Sequence, residues 1–373
     1  MDKIEKYFKR KADKISFIEI KQNTSVKVGD YIVTGDLPLP VITDVFLKEI
    51  KKGNLQDDIK VSYIIEGIIF LMGTDHDFKY NDKYKEILKK YNSDIESYIF
   101  YKGLKEVENE NYEKGAILFR TLTNLNREHI NGLFNLGICY EGISYGEKEL
   151  KEDFLKKSME TFESILDLNP KYSLAYYKLG YYYKTFGQFE KAKLSWEKFI
   201  LLSKDSERKD EIREEIEKIA DNASYERGCN LLFARNYSAA IDEFTHLENR
   251  YKDLWNIYYM KGLTYKGLND LNSSIENFKK AAELNPKSSD IFNELGIALY
   301  GVGNFQDSID AFSKGININD KDYRIICNRG IVYFQIGMYD EAKEDIDRAF
   351  SINPQNKTIK DVKYKLEKIL GTN

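Results

Sequence analysis

A glycine that recurs at a constant interval limits the folds that this chain of 373 residues can adopt. Each glycine is followed after twelve positions by a small side chain and after sixteen by a large apolar one. The sets are Gly228, Ala240 and Phe244; Gly262, Ser274 and Phe278; Gly296, Ser308 and Phe312; and Gly330, Ala342 and Ile346. Such a period predicts a solenoid, in which each unit packs on its neighbours and no single large core is needed.

Each period also carries the signals of two helices. Small residues on both helices would let them approach closely, and the aromatic side chain would fill the space beside them. Pro286 and Pro354 close two of the periods, because proline cannot continue a helix. This pattern resembles the tetratricopeptide repeat, a helix–turn–helix unit of about 34 residues. The resemblance implies an all-α, right-handed superhelical solenoid of helical hairpins.

The same register extends upstream through Gly103, Gly137 and Gly180. It predicts three repeats over residues 96–206, and the second has nine extra residues between its helices. Four more repeats are predicted over residues 221–356. The predicted units are 96–129, 130–172, 173–206, 221–254, 255–288, 289–322 and 323–356. The charged run at 207–220 is expected to extend the preceding helix or to form an extra one, and residues 357–373 are expected to form a capping helix.

Residues 1–95 do not show the repeat clearly, and a mixed, mostly helical segment is expected there. Alternation over Ser25–Thr34 predicts a small hairpin that turns at Gly29-Asp30, and Leu37–Pro40 is expected to be extended. Helices are predicted at 41–52, 59–72 and 81–91, with Gly53 and Gly73 as stops. The segment is interpreted either as a degenerate repeat that caps the array or as a separate small module.

Charge and hydropathy argue against two classes of partner. The net charge is -4, and the chain lacks the basic field typical of nucleic-acid binding. The longest apolar run, Val61–Gly73, is shorter than the roughly 20 residues that span a bilayer. Met1–Lys14 lacks the apolar core of a signal peptide. We therefore expect a cytoplasmic protein without membrane insertion. The richness in Tyr, Lys, Asn and Ile indicates an A·T-rich bacterial genome. Its oligomeric state stays open.

Two short motifs are candidates for chemistry, and neither has the context that its chemistry requires. Gly142–Gly146 matches the G-x-S-x-G nucleophile elbow, which needs a strand-to-helix turn, but it is expected in an inserted loop between helices. Asp75-His76-Asp77 has metal-ligating side chains, yet a lone D-H-D after a glycine is more typical of a helix cap. Catalysis, a metal and a cofactor are therefore not expected. The three cysteines are interpreted as small buried or groove-lining side chains.

The resemblance implies that the first helix of each repeat lines a concave groove, which binds an extended peptide or a helix of another protein. The residues expected to form this groove are Tyr177, Tyr181, Lys184, Tyr225, Asn256, Tyr259, Lys266, Asn293, Tyr300 and Arg324. Tyrosine offers a large contact area with a polar tip, and the cations favour an acidic or C-terminal group on the partner. The alternative is that these positions only pack against neighbouring helices.

These features predict an interaction scaffold, not an enzyme, with other proteins as its partners. Two other functions stay open from the sequence. One is a regulatory sensor that responds to a peptide or ligand through residues 1–95, and the other is an accessory subunit of an enzyme. The family members that bind chaperones use an asparagine directly after the marker glycine. Here that position holds only Leu, Ile, Tyr or Cys, so chaperone binding is not expected.

Overall fold

Helices form most of the chain, as the glycine period predicts. The computed structural model describes residues 2–20, 25–28, 31–34, 37–51 and 60–371. The chain divides into two compact units, one formed by Met1–Gly187 and Leu194–Glu214 and the other by Gln188–Lys193 and Glu215–Asn373. They are called unit 1 and unit 2, and each is described by itself.

Unit 1 contains a short N-terminal helix, three helices that precede the repeats, and the first helical hairpins. Its helices within the described ranges are α1 (Lys3–Lys9), α2 (Thr43–Lys51), α3 (Val61–Thr74), α4 (Asn81–Tyr91), α5 (Ile95–Glu108), α6 (Tyr112–Leu125), α7 (Ile130–Gly146), α8 (Lys151–Leu168) and α9 (Ser173–Thr185). Helices α5 and α6 pack as one hairpin and α7 and α8 as the next, while α6 also packs on α7.

Two helices, α10 (Phe189–Leu202) and α11 (Ser206–Phe233), contain residues of both units. The remaining helices of unit 2 are α12 (Tyr237–Arg250), α13 (Trp255–Gly267), α14 (Leu271–Leu284), α15 (Ser289–Gly301), α16 (Phe305–Ile318), α17 (Tyr323–Gln335), α18 (Tyr339–Ile352) and α19 (Lys357–Leu370). Helices α13 to α18 form three successive hairpins, and α19 packs on α18. The expected all-α solenoid of hairpins is confirmed.

The marker glycine is the point of closest approach within a hairpin. A Cβ atom on Gly262 would lie 2.6 Å from the ring of Phe278, and one on Gly296 would lie 2.6 Å from the ring of Phe312. No side chain fits at such a distance, so the aromatic ring occupies the space that glycine leaves. The small residue between them adds a hydrogen bond, since Ser308 Oγ donates to the carbonyl oxygen of Gly296 at 2.7 Å.

The N-terminal segment adds two small antiparallel sheets to unit 1. The predicted pairing is confirmed for β2 (Ser25–Val28) and β3 (Tyr31–Thr34), while the turn expected at Gly29-Asp30 lies outside the described residues. Strands β1 (Ile15–Ile18) and β4 (Leu39–Ile42) form the second sheet, which was not predicted. Their pairing joins segments on either side of the β2–β3 pair, and such a long-range contact leaves no local pattern in the sequence.

Helix α3 is apolar nearly all round and lies in the core of unit 1, as expected. The prediction that Gly73 stops this helix was wrong, because the helix continues to Thr74. A Cβ atom on Gly73 would lie 2.1 Å from the carbonyl oxygen of Ile117, so this glycine permits close packing of α3 on α6. The stop expected at Gly53 lies outside the described residues. No helix in the described ranges combines the length and apolarity needed to cross a membrane.

Two segments that were expected between helices lie within them. Gly142 and Ser144 belong to α7. The nine extra residues therefore lengthen the helices of that hairpin, and the prediction of an inserted loop was wrong. The charged run from Glu207 onward forms the first half of α11, so it extends the helix that follows it and not the one that precedes it. No glycine or proline interrupts residues 206–227, and the residues there are mostly good helix formers.

A buried guanidinium ties helix α1 to the first repeats. Arg120 is 1% exposed and donates to both carboxylate oxygens of Glu5, at 2.9 and 2.7 Å. Its Nε atom donates to the carbonyl oxygen of Gly73 at 2.6 Å. Burial and the charge of Arg120 lower the pKa of nearby His76 to about 4, against the opposing charges of Glu5, Asp77 and Asp75. His76 is therefore held neutral in the folded chain at neutral pH.

The glycine–aromatic contact generates a prediction on stability. Gly137→Ala should lower the free energy of unfolding by about 1–3 kcal/mol, because a Cβ atom would lie 2.7 Å from the Phe162 ring. Gly146→Ala is the matched control on the same helix, where nothing lies within 4 Å of the added atom. It should change stability by less than about 1 kcal/mol. Denaturant unfolding followed by circular dichroism measures both, and equal stability of the two variants would contradict the contact.

The neutral, buried His76 generates a prediction on pH dependence. The unfolded chain protonates this histidine below about pH 6.5, whereas the folded chain does so only near pH 4. The unfolded state then binds more protons between these values, so stability should fall as the pH falls through this window. His76→Asn should reduce the loss of stability between about pH 7 and pH 5, and urea unfolding at these pH values measures it.

The matched control for that experiment is the same substitution at exposed His246. It should leave the pH dependence of the wild-type chain unchanged. A His76→Asn chain with the wild-type pH dependence would show that His76 is not the group responsible.

Candidate functional site

The residues expected to form one groove are divided between the two units. Tyr177, Tyr181 and Lys184 lie on α9 in unit 1. The remaining residues lie in unit 2, on the first helices of its hairpins: Tyr225, Asn256, Tyr259, Lys266, Asn293, Tyr300 and Arg324. The geometry of each set is therefore given within its own unit.

In unit 1, the first turns of α11 contact the two tyrosines of α9. Tyr177 Oη donates to a carboxylate oxygen of Glu211 at 3.1 Å, and Tyr181 Oη donates to the same oxygen. Burial and this carboxylate raise the pKa of Tyr181 above its usual range. The Tyr177 ring packs on Phe199 and the Tyr181 ring on Trp196, with ring centroids 5.2 and 5.1 Å apart. The hydroxyl group and the ring of each tyrosine are thus both engaged in contacts within unit 1.

In unit 2, a row of apolar side chains follows the marker glycines of successive hairpins. Leu263, Ile297 and Ile331 each come directly after such a glycine, on α13, α15 and α17. All three are partly exposed, although each also packs against the core of its hairpin. We call this row, with the polar side chains around it, the first-helix face of unit 2.

Aromatic side chains border this row, and most of their surface is used in packing. The Tyr259 ring lies 5.8 Å from the ring of Phe278, and the Tyr300 ring lies 5.7 Å from that of Phe305. Burial raises the pKa of Tyr259 to about 12, and nearby Glu294 and Asp290 add to the shift. Tyr225 is also half-buried, and its pKa is raised by burial while contact with Asn256 opposes the shift. Packing and partial exposure therefore coexist at these tyrosines.

The cations of the first-helix face are already matched by carboxylates of neighbouring hairpins. Lys266 on α13 forms an ion pair with Glu294 on α15. Arg324 on α17 donates to Asp290 at 3.0 Å and to Asp322 at 2.6 Å, and these partners raise the pKa of Arg324. In unit 2, these cations are therefore already paired and give no reason to expect an acidic partner.

Amide side chains also connect adjacent hairpins on this face. Asn328 Nδ2 donates to Asn293 Oδ1 at 2.9 Å. Asn293 was expected in the groove, but it is only 7% exposed. The partners Glu294, Asp322 and Asn328 were not predicted from the sequence. The available signal was that Glu294 lies one helical turn after Asp290, on the same side of α15.

The two short motifs do not form the sites that their residue types suggest. Ser144 lies inside α7, is 1% exposed, and donates to the carbonyl oxygen of Glu141 at 2.6 Å, which is not the geometry of an exposed nucleophile. Asp75 accepts a hydrogen bond from the backbone nitrogen of Asp77 at 3.2 Å, which closes a turn between α3 and α4. The expected helix cap is not formed there, because α4 begins only at Asn81, without a side-chain cap. Within the described ranges, no three His, Cys, Asp or Glu side chains are placed to hold a metal.

Three family models described as tetratricopeptide repeat match this chain, at residues 161–193, 256–288 and 323–356. Among curated proteins, anaphase-promoting complex subunit 3 of Schizosaccharomyces pombe is 22% identical over 192 residues. That match covers 52% of this chain, which spans about a quarter (25%) of the length of the relative.

Similar solved structures include the TPR domain of Arabidopsis OM64 and MamA AMB-1. The Arabidopsis domain is 23% identical, with a TM-score of 0.30, over 31% of this chain and 95% of that domain. MamA AMB-1 is 18% identical, with a TM-score of 0.38, over 50% of this chain and 93% of that protein. The matched repeats and the recurring glycine–aromatic contacts identify the chain as a tetratricopeptide repeat protein.

Proposed function

We propose that the chain is an interaction scaffold that binds a segment of another protein on the first-helix face of unit 2. The observation that carries this proposal is the row of partly exposed apolar side chains at Leu263, Ile297 and Ile331. Single exposed apolar residues are ordinary on protein surfaces, whereas a repeated row flanked by polar groups is typical of a binding surface.

The spacing of the row indicates how a partner would match it. Adjacent packed helices lie roughly 8–10 Å apart. A peptide extended in the polyproline II conformation advances about 3.1 Å per residue with three residues per turn, so every third side chain would meet the row. A helix advances about 1.5 Å per residue, so side chains about seven apart would do so. The partner segment is therefore an extended peptide or a helix with apolar residues at one of these two intervals.

The polar side chains of the face favour a partner that is close to neutral. Lys266 and Arg324 are both paired with carboxylates, so neither sign of charge dominates the row. The partly exposed amide of Asn328 keeps hydrogen-bonding capacity beyond its bond to Asn293, which suits a peptide backbone. Tyr259 and Tyr300 add aromatic surface at its border.

We also propose that residues 1–95 cap the repeat array and do not form a separate module. Helix α3 packs on α6, and the apolar core runs without a break from Ile4 and Phe8 to Phe119 and Tyr140. A solenoid needs such a cover because its terminal unit would otherwise expose an apolar face. The same argument assigns α19 as the cap at the other end, where Ile359 and Leu366 are buried.

The binding proposal is tested with peptides selected on the full chain from a random display library. Ile297→Glu places a charge in the middle of the apolar row, so it should weaken binding of the selected peptides at least about tenfold. Leu299→Tyr is the matched control on the same helix, and it should leave their affinity unchanged. Fluorescence anisotropy measures the affinities, and circular dichroism verifies that both variants fold.

A folded Ile297→Glu chain that binds the selected peptides with wild-type affinity would show that the first-helix face is not the binding site. The sequences of the selected peptides give an independent readout. They should carry apolar residues at intervals of about three or about seven.

A further inference from the structure

Helix α1 shows how the second helices of two successive hairpins hold a helix between them. Phe8 is fully buried, and its ring centroid lies 6.1 Å from that of Tyr140 on α7 and 6.4 Å from that of Phe154 on α8. The guanidinium carbon of Arg120 on α6 lies 4.3 Å from the same ring centroid. Phe8 therefore fills a cleft whose walls are α6 and α8 and whose floor is α7.

Polar contacts fix the direction of α1 in that cleft. Glu5, three residues before Phe8, binds Arg120 through both of its oxygens. Asp2, six residues before Phe8, lies 3.7 Å from the ammonium group of Lys157 on α8. Ile4 is the second buried apolar side chain of the helix. The docked helix is thus defined by two apolar side chains and two carboxylates at fixed spacing.

The corresponding cleft in unit 2 is open. It lies between α14 and α16 over α15, with a volume of about 740 Å³, and its floor is formed by Phe292, Leu295 and Leu299. One floor residue differs from that of the cleft that holds α1. The third residue after the marker glycine is Leu299 here, whereas four other repeats have tyrosine there: Tyr140, Tyr183, Tyr265 and Tyr333.

Charged side chains stand at matching positions of the two clefts. Lys279 stands at the same interval after Gly262 as Arg120 does after Gly103. Within the described part of the chain, Lys279 is exposed and forms no ion pair or hydrogen bond. Asp307 on α16 directly precedes Ser308, just as Lys157 on α8 directly precedes Ser158. The wall formed by α16 therefore has a negative charge where the wall formed by α8 has a positive one.

We propose that this open cleft docks an amphipathic helix of a partner protein. Its aromatic side chain would enter over Leu299, and a carboxylate three residues earlier would bind Lys279, as Glu5 binds Arg120. A cation six residues before the aromatic side chain would meet Asp307, where α1 has Asp2 facing Lys157. Leu299 lies two residues after Ile297, about 200° around the helix, so the cleft and the first-helix face are separate surfaces.

A synthetic peptide of residues 2–14 with the change Asp2→Lys is the probe, since it carries all three features. Fluorescence anisotropy should show saturable binding to the full chain. Lys279→Glu, which reverses the charge placed to bind Glu5 of the peptide, should weaken this binding at least about tenfold. Ile297→Glu should leave it unchanged, which separates this site from the proposed groove. The peptide with Phe8→Ala should bind at least about tenfold more weakly.

A photo-crosslinking residue in place of Tyr7 of the peptide locates the bound probe. Crosslinks to α14 and α16 are expected. Crosslinks to α6 and α8 would mean that the peptide displaces α1, and they would overturn the proposal. Binding that Lys279→Glu does not affect, or no saturable binding up to about 1 mM, would also overturn it.

A second copy of the chain is the competing occupant, through its own α1. Analytical ultracentrifugation of the wild-type chain and of Lys279→Glu separates the two cases. Wild-type chains should show no self-association that depends on Lys279. Self-association that Lys279→Glu abolishes would assign the cleft to a second copy and overturn its assignment to a partner protein.

Discussion

The two helices of each hairpin approach closely because a glycine on the first faces a large side chain on the second. The ring of Phe278 or Phe312 fills the space that the missing side chain leaves, and the serine hydroxyl next to it satisfies the carbonyl of the same glycine. Because this contact recurs at the constant interval of the marker glycines, the hairpins stack in register. Every candidate surface depends on that register, since it places equivalent residues of successive repeats side by side.

The two sides of a hairpin then present different chemistry to solvent. The first helices of unit 2 combine an apolar row with ion pairs that cancel one another, such as Lys266 with Glu294. The second helices form the walls of clefts. One such cleft holds α1 in unit 1, where Phe8 packs on Tyr140, and another is open in unit 2 over Leu299. One repeated framework therefore offers two kinds of surface.

Local patterns predicted what depends on local contacts. The hairpins, the short β2–β3 pairing and the buried position of α3 follow from periodicity and from residue size. The pairing of β1 with β4 did not follow, because its partners are distant in the sequence. Gly73 was misread for a related reason: a glycine that ends a helix and one that allows close packing look alike until the opposing backbone at Ile117 is known.

The sequence by itself determined the helical repeat, because glycine, small and aromatic residues at a fixed spacing permit only one way for two helices to approach. The sequence also predicted which side chains lie on the first helices, such as Tyr259 and Arg324. Only the tertiary structure decided which of these are already engaged. Asp290 and Glu294 neutralise the cations of neighbouring hairpins, and Glu211 accepts the hydroxyls of Tyr177 and Tyr181. These partners come from other helices, and a charge or hydroxyl is available to a ligand only when no such neighbour reaches it.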